Sequence, residues 1–497
     1  MHLTREKEAP MHHHRHHTPK NESNPTSRVS RALLPLLLVA QLMVILDITA
    51  VNIALPSLAR DLHIEGATIS WTITAYSLVF GSLLLLGGRA ADLLGRRRIF
   101  LTGLGVFTAS SLASAIAGSA AELFAARAGQ GFGAAMLSPA ALSIITSSFQ
   151  GQQRAKALAA WGAVGGAGAA LGVLLGGLLT ELADWRMIFF VNLPVAALLA
   201  AAARNVFPAD TEKPRWRGLD IRGAALATGS LAAIVYAITQ ADKAGWISTQ
   251  TLTISGLGVA GLAAFAACEH RTGQPLLRIE RLRDRAVAGG LLLMLTATGL
   301  MFGLFLLCSF YLQLALGRGP LPTGLSFIPL ALAAGTGAHL GGHIVSRHGV
   351  RGPLATAFTI AAAGLLLLSR LPADGSYLRD VLPGILVAGF GLGIAVVAVS
   401  VAILAGARHD EAGMLSGLNS TGHEIGGTLG IAIFASIAAA ASGGIVVGPA
   451  AAAGIAHAFL IAAHVALGAS AVALIALPAA KTFLPKLRLN PHAMPIH

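Results

Sequence analysis

Asp47 is the first charge in an apolar run that begins near Ala32 and ends at Pro56. About 20 apolar residues at 1.5 Å rise span the hydrocarbon of a bilayer. A carboxylate inside such a run costs roughly 2.5–3.5 kcal/mol on insertion scales, which marks it as functional. The chemistry open to it is uptake and release of a proton, or pairing with a cation. Thr49 and Asn52 lie near it on the same helix and add hydrogen-bonding groups. Arg127, within Ala125-Ala126-Arg127-Ala128-Gly129-Gln130-Gly131-Phe132-Gly133, falls one turn into a later apolar span that runs the opposite way. The two charges therefore sit at similar depth, and a pair or shared water network is expected. Contact with a guanidinium favours the ionised carboxyl and separation favours the protonated one, the alternation that a proton-coupled cycle needs. The other reading of Arg127 is a side chain snorkelling to the headgroups.

A second acid, Glu424, has His423 beside it near the start of a late span. It reads as a second proton site, a cation contact, a cytoplasmic gate or a capped helix end. His339 and His343 are one turn apart, but with no Cys or carboxylate nearby they do not make a metal site.

The elements that carry these residues are long apolar blocks. The 497-residue chain is 55% hydrophobic and only 11% charged, against about 25% charged in soluble proteins. That pattern is an all-α polytopic membrane protein and excludes a globular enzyme. No cluster of nucleophile, base and metal ligands gathers near one face. About fourteen spans are expected, near 33–56, 70–91, 99–118, 122–148, 156–180, 187–206, 220–240, 250–269, 287–312, 323–346, 353–370, 380–404, 417–441 and 455–477. With both termini inside, about 27 Lys and Arg fall on the cytoplasmic side and about six outside. The net charge of +13 thus reports orientation, not nucleic-acid binding. Residues 1–31, with a His-rich run at Met11–His17, read as a disordered cytoplasmic tail. Cys268 and Cys308 lie in apolar segments, so no disulfide framework is expected.

Shifting the chain by 254 residues aligns Gly88, Asp92, Gly95 and Arg97 with Gly342, Ser346, Gly349 and Arg351, and Gly168, Gly172 and Gly176 with Gly422, Gly426 and Gly430. Duplicated halves follow, spans 1–6 recurring as spans 9–14, with spans 7 and 8 inserted and the solute site between the halves. In the loop Gly88–Arg98, Gly88 and Gly95 allow a tight turn and close helix approach, and Asp92 can meet Arg96, Arg97 or a helix N-terminus of the other half to hold the inside closed. Gly168, Gly172 and Gly176 line one helix face on which another helix can pack and slide.

These motifs together resemble the fourteen-span drug:proton antiporter branch of the major facilitator superfamily, the EmrB/QacA type, over nearly the whole chain after residue 31. Leu46-Asp47-x-Thr49-x-Val51-Asn52-x-Ala54-Leu55-Pro56 resembles the branch's span-1 signature, Gly88–Arg98 the superfamily loop between spans 2 and 3, and Arg127 with Gly131 the span-4 motif. Asp184-Trp185-Arg186-Met187-Ile188-Phe189-Phe190-Val191-Asn192-Leu193-Pro194 is similar to the branch's start of span 6. The resemblance implies a major facilitator fold and alternating access, drug leaving as protons enter. The chain departs from the pattern in three places. Val173 follows Gly172 where the antiporter motif has proline, Leu93 replaces a frequent basic residue, and Ser346 replaces the acid in the second loop.

The expectation is thus two six-helix bundles at 32–206 and 271–478, a linker with two inserted spans at 207–270, and a cytoplasmic tail at 479–497. The expected function is proton-coupled efflux of small amphipathic compounds, with Asp47 carrying the proton and Arg127 modulating it. It draws on the proton motive force with no cofactor or metal. Its partners are a small-molecule solute, protons and membrane lipid, with no nucleic acid, in a bacterial plasma membrane, with monomer and oligomer both left open. Ala- and Arg-rich, Lys-poor usage points to a high-GC bacterium. The alternatives are a proton-linked importer or facilitator on the same scaffold and, further off, a membrane scaffold or enzyme.

Overall fold

The computed structural model describes residues 25–64, 66–210, 214, 219–271, 279–404, 412–443 and 448–479. The His-rich run at Met11–His17 and the last 18 residues of the chain lie outside them. Helix is the only regular structure among the described residues, in the order α1 Pro25–Asp61, α2 Trp71–Leu94, α3 Arg96–Ala115, α4 Ala120–Ser148, α5 Gly151–Leu182, α6 Met187–Phe190, α7 Asn192–Val206, α8 Ile221–Ala244, α9 Thr249–Arg271, α10 Arg285–Phe310, α11 Pro320–Ser326, α12 Ile328–His348, α13 Arg351–Leu368, α14 Leu382–Leu404, α15 Ala412–Ala441 and α16 Gly448–Ala476. Long apolar blocks become helices because, in lipid, only a helix or a closed barrel satisfies every backbone amide internally. Side chains set several starts. Ser119 accepts from the Glu122 amide at α4, Asp220 caps α8 and Asp284 caps α10.

Twelve stretches among the described residues are long and apolar enough to cross a membrane. The fifth expected span lies in α5, a single helix from Gly151 to Leu182, and the sixth in α6 and α7. Span 6 is not one helix: the chain breaks at Val191 between α6 and α7. Span 10 is likewise divided, at Phe327 between α11 and α12. α1 begins at Pro25, and residues 1–24 of the expected tail lie outside the described residues.

The helices form two bundles. In the first, α1 lies along α5 and α4 packs on α2 and α3; in the second, α10 lies along α15 and α14 packs on α12 and α13. The duplicated glycines make duplicated contacts. A Cβ on Gly172 would strike the Thr49 hydroxyl and Leu46, and one on Gly426 would strike the Thr298 hydroxyl and Leu295. Gly176 likewise abuts Ala50, and Gly430 abuts Gly299. Gly95 and Gly349 end the equivalent helices α2 and α12 at φ +108° and +77°, values that side chains with a Cβ rarely adopt.

The bundles meet along two flanks, α2 against α15 and α5 against α11 and α12. At the end remote from the Gly88–Arg98 loop, three hydrogen bonds cross between them. Gln313 donates to the Ile53 carbonyl at 3.0 Å, Ser309 to the Asn52 carbonyl at 3.4 Å, and the Leu321 amide to Glu181 Oε2 at 2.7 Å. An apolar layer containing Ala54, Leu58, Ile73, Leu306, Ile431 and Ala435 seals the same end.

The inserted helices occupy one flank only. α8 packs on both α2 and α15, and α9 packs on α8. Leu78, Leu231, Val235 and Ala432 form one cluster across that junction. Trp71 donates to Thr239 at 3.0 Å, Thr228 to Ser82 at 2.9 Å, and Ser436 to the Ile238 carbonyl at 2.8 Å.

Candidate functional site

The Asp47 carboxylate lies inside the first bundle, 1% exposed. Arg127 reaches it from α4 with no exposure at all, and its Nη1 donates to Asp47 Oδ2 at 2.5 Å. Arg127 does not snorkel. Its Nε donates to the Thr72 carbonyl at 2.9 Å, and its guanidinium lies 4.5 Å from the Tyr76 ring centre and 5.6 Å from that of Phe189. A buried ion pair is tolerable only when its remaining groups find partners, and a ring face is one such partner.

The other carboxylate oxygen is held by two amides. Gln130 Nε2 donates to Asp47 Oδ1 at 2.9 Å and Asn192 Nδ2 does so at 3.0 Å. Ser111 Oγ on α3 accepts from the same two amides at 2.8 and 3.3 Å. Gln130 Oε1 in turn accepts from Arg127 Nη1 at 2.9 Å and from Ser114 at 3.0 Å. The site thus gathers α1, α2, α3, α4, α6 and α7 of one bundle.

Local sequence explains how each arrives. Arg127 and Gln130 are one turn apart on α4 and share a face. Gly131 lets α4 close on α2, since a Cβ there would strike the Tyr76 carbonyl. Asn192 comes from the break at Val191. Ahead of that break, Trp185 and Arg186 anchor to Asp61 at 3.2 and 2.8 Å, and Arg186 also donates to the Ala117 carbonyl at 3.4 Å. The segment is therefore pinned to α1 and α3 before it turns inward.

Thr49 and Asn52 take other roles than company for Asp47. The Thr49 hydroxyl donates to the Ile45 carbonyl at 2.9 Å and faces Gly172, while Asn52 donates to the Ile48 carbonyl at 3.2 Å. Both donate back along α1, because a helical side chain meets its own preceding turn before it meets a residue two or five positions away, and Asn52 Oδ1 stays buried with no hydrogen-bond partner among the described residues. Gln130, Asn192, Ser111 and Tyr76 were not singled out from sequence. The signal existed for two of them, since Gln130 stands one turn from Arg127 and Asn192 lies in the quoted Trp185–Pro194 stretch.

Glu424 faces the other bundle. Its Cβ occupies the space left by Gly81 on α2, where an added Cβ would stand 2.7 Å away. His423 Nδ1 lies 3.4 Å from Glu424 Oε1, and its ring meets Phe302 edge-on at 5.7 Å. Glu424 Oε2 is buried with no hydrogen-bond partner among the described residues, as is Thr421 Oγ1 one turn earlier. His339 and His343 have ring centres 5.0 Å apart on α12.

In the loop between α2 and α3, Asp92 meets Arg96, one of its expected partners. Asp92 is exposed and pairs with Arg96 at 3.7 Å in its own turn, with Ser143 donating to it at 3.4 Å. The acid at a helix N-terminus is Asp210 instead. It accepts from the Arg97 and Arg98 amides at 3.1 and 3.0 Å, tying the segment after α7 to the start of α3. Gly87, rather than Gly88, makes the close approach, since a Cβ on it would strike the Ala135 carbonyl. Gly168, Gly172 and Gly176 do line one face of α5, packed against α1 from Leu42 to Ala50. Val173 leaves α5 a single helix from Gly151 to Leu182.

Known proteins are similar to this chain in sequence and in fold. The chain is 42% identical over 414 residues to the puromycin resistance protein of Streptomyces alboniger, covering 82% of each chain. It is 34% identical to the cephamycin export protein of Amycolatopsis lactamdurans, over 85% of this chain and 88% of that one. Among solved structures, a bacterial homologue of the human lysosomal transporter Spinster superposes with a TM-score of 0.63 at 17% identity, covering 93% of this chain and 99% of that one. The Major Facilitator Superfamily profile matches residues 37–431. On that match and on the identity with the resistance protein, the chain belongs to the major facilitator superfamily of membrane transporters.

Proposed function

We propose that this transporter exports small amphipathic organic compounds, antibiotics among them, in exchange for protons entering the cell. The relatives named for resistance and export support the solute class. The observation that supports proton coupling is the Asp47–Arg127 pair, a carboxylate and its counter-charge buried together on different helices of one bundle. Parting them leaves an uncompensated buried carboxylate, which takes a proton rather than stay charged. The two bundles rock about the central seam, where Glu424 and His423 meet solute or a second proton. With the basic loops cytoplasmic and both termini inside, the sealed end is the outer one.

One proton entering down the membrane potential is worth about 2.3 kcal/mol per 100 mV, or roughly 50-fold accumulation before any pH gradient. The test is efflux from proteoliposomes under an imposed pH gradient. Asp47→Asn is expected to abolish gradient-driven efflux while solute binding persists. Full efflux by that variant would remove Asp47 from the mechanism, and solute uptake along the proton gradient would make the protein an importer.

A further inference from the structure

The two oxygens of Asp47 keep different company. Oδ2 faces the Arg127 guanidinium, whereas Oδ1 accepts from the Gln130 and Asn192 amides at 2.9 and 3.0 Å. The network fixes which way Gln130 points. Its Oε1 accepts from Arg127 Nη1 at 2.9 Å and from Ser114 at 3.0 Å. Turning that amide over would set an oxygen against the carboxylate and an NH2 against the guanidinium. An amide NH2 can only donate. A proton placed on Oδ1 would therefore point at donors and find no acceptor. A proton placed on Oδ2 points into the space that Arg127 Nη1 now fills.

We infer that Gln130 and Asn192 are positioning residues that confine the Asp47 proton to Oδ2, so that the proton and the Arg127 guanidinium exclude one another. The inference rests on the reading of Asp47 as the proton carrier and deepens it. In loading, a hydronium ion in the open cavity gives its proton to Oδ2 and becomes water. One O–H bond breaks, one forms, and Arg127 stays protonated. Arg127 need only swing, because its Nε remains bonded to the Thr72 carbonyl and its Nη2 is a buried donor with no hydrogen-bond partner among the described residues. Oδ1 keeps both amides throughout as the carbonyl oxygen of the acid. Release reverses the step.

The arrangement is rigid on the amide side. Gln130, Asn192 and Ser111 are each at most 3% exposed, and Ser111 accepts from both amides, so α3, α4 and α7 hold them in register. Among the described residues, Tyr76 on α2 lies against the pair, and Glu424 on α15 packs across the seam on Gly81 of the same α2. Without one amide, Oδ1 is free to carry the proton while Oδ2 stays on Arg127. Proton binding then no longer demands that the pair part.

The experiment measures substrate-free proton entry into proteoliposomes holding an internal pH dye, for wild type, Asn192→Ala and Gln130→Met. Loss of one hydrogen bond to the charged group is expected to raise the leak about tenfold in each variant. An unchanged leak in variants that keep their helix content and elute as the wild type would overturn the inference. Infrared difference spectra of the wild type decide it without a variant of the amides. The protonated-carboxyl C=O stretch that Asp47→Asn removes is expected at the low frequency of a doubly hydrogen-bonded acid. A band at the frequency of a free carbonyl sinks the inference even if both variants fail to fold. Gradient-driven efflux by Asp47→Asn would instead sink the carrier reading, which the leak and the band position do not address.

Discussion

Asp47 and Arg127 stand 80 residues apart in the chain and meet at 2.5 Å, with neither side chain exposed to solvent. Removing one partner from a buried pair leaves the other charge uncompensated, at a cost of about 3–5 kcal/mol. Arg127→Met is therefore expected to destabilise the purified protein by about that much, read from thermal unfolding in detergent. Adding Asp47→Asn to it is expected to restore most of the loss. Two single losses that simply add would show that the pair contributes nothing as a pair.

The glycine face of α5 allows a direct comparison. A Cβ on Gly176 would sit 2.6 Å from the Ala50 backbone, while Gly165 has nothing within 4 Å. Gly176→Val is expected to cost about 1–3 kcal/mol as an overpacked contact and to stop transport. Gly165→Ala is expected to be neutral or slightly stabilising, since alanine is worth about 0.5–1 kcal/mol over glycine within a helix. Efflux assays and melting curves on the two variants separate the readings.

Asp210 caps the start of α3 through two backbone amides, at 3.1 and 3.0 Å. Losing a cap of this kind costs about 1 kcal/mol. Asp210→Ala is expected to raise amide exchange in the first turn of α3 and leave α2 unchanged. Equal exchange in wild type and variant would show the cap to be idle.

Glu181 holds the Leu321 amide across the seam at 2.7 Å, in an exposed position. Glu181→Ala removes a charge-assisted acceptor, worth about 1.5–3 kcal/mol when fully formed and less where water competes. Spin-label distances between the sealed ends of α5 and α11 are expected to shift toward the separated population. An unchanged distribution would mean that the glycine contacts beside it, Gly177 on Pro320 and Gly324 on Val173, suffice to hold that flank.

Much of this arrangement can be read from residue types alone, and the reasons it can are physical. A charge in an apolar run is expensive wherever it lies, so Asp47 and Arg127 stand out, and antiparallel spans place them at one depth. The glycine spacing is legible because Gly172, Gly176, Gly426 and Gly430 each abut a neighbouring backbone, and the 254-residue shift reappears as matched contacts of Gly172 and Gly426. Uncharged donors leave no such mark. Gln130 and Asn192 cost little to bury once paired, and the break that delivers Asn192 lies inside a stretch that reads as one apolar span. Asp92 is legible only in part: an acid among arginines pairs with one of them, Arg96, four residues on at the loop surface, and residue type alone does not say which. Thr49 and Asn52 show that nearness along a helix is not nearness of side-chain groups.

With α8 bonded to both α2 and α15, and α9 outside it, a twofold architecture becomes lopsided. The α2–α15 flank is boarded over by α8, while the opposite flank consists, among the described residues, of α5 against α11 and α12 alone. Any relative motion of the bundles must therefore carry α8 with one of them on the first side and is free of that burden on the second.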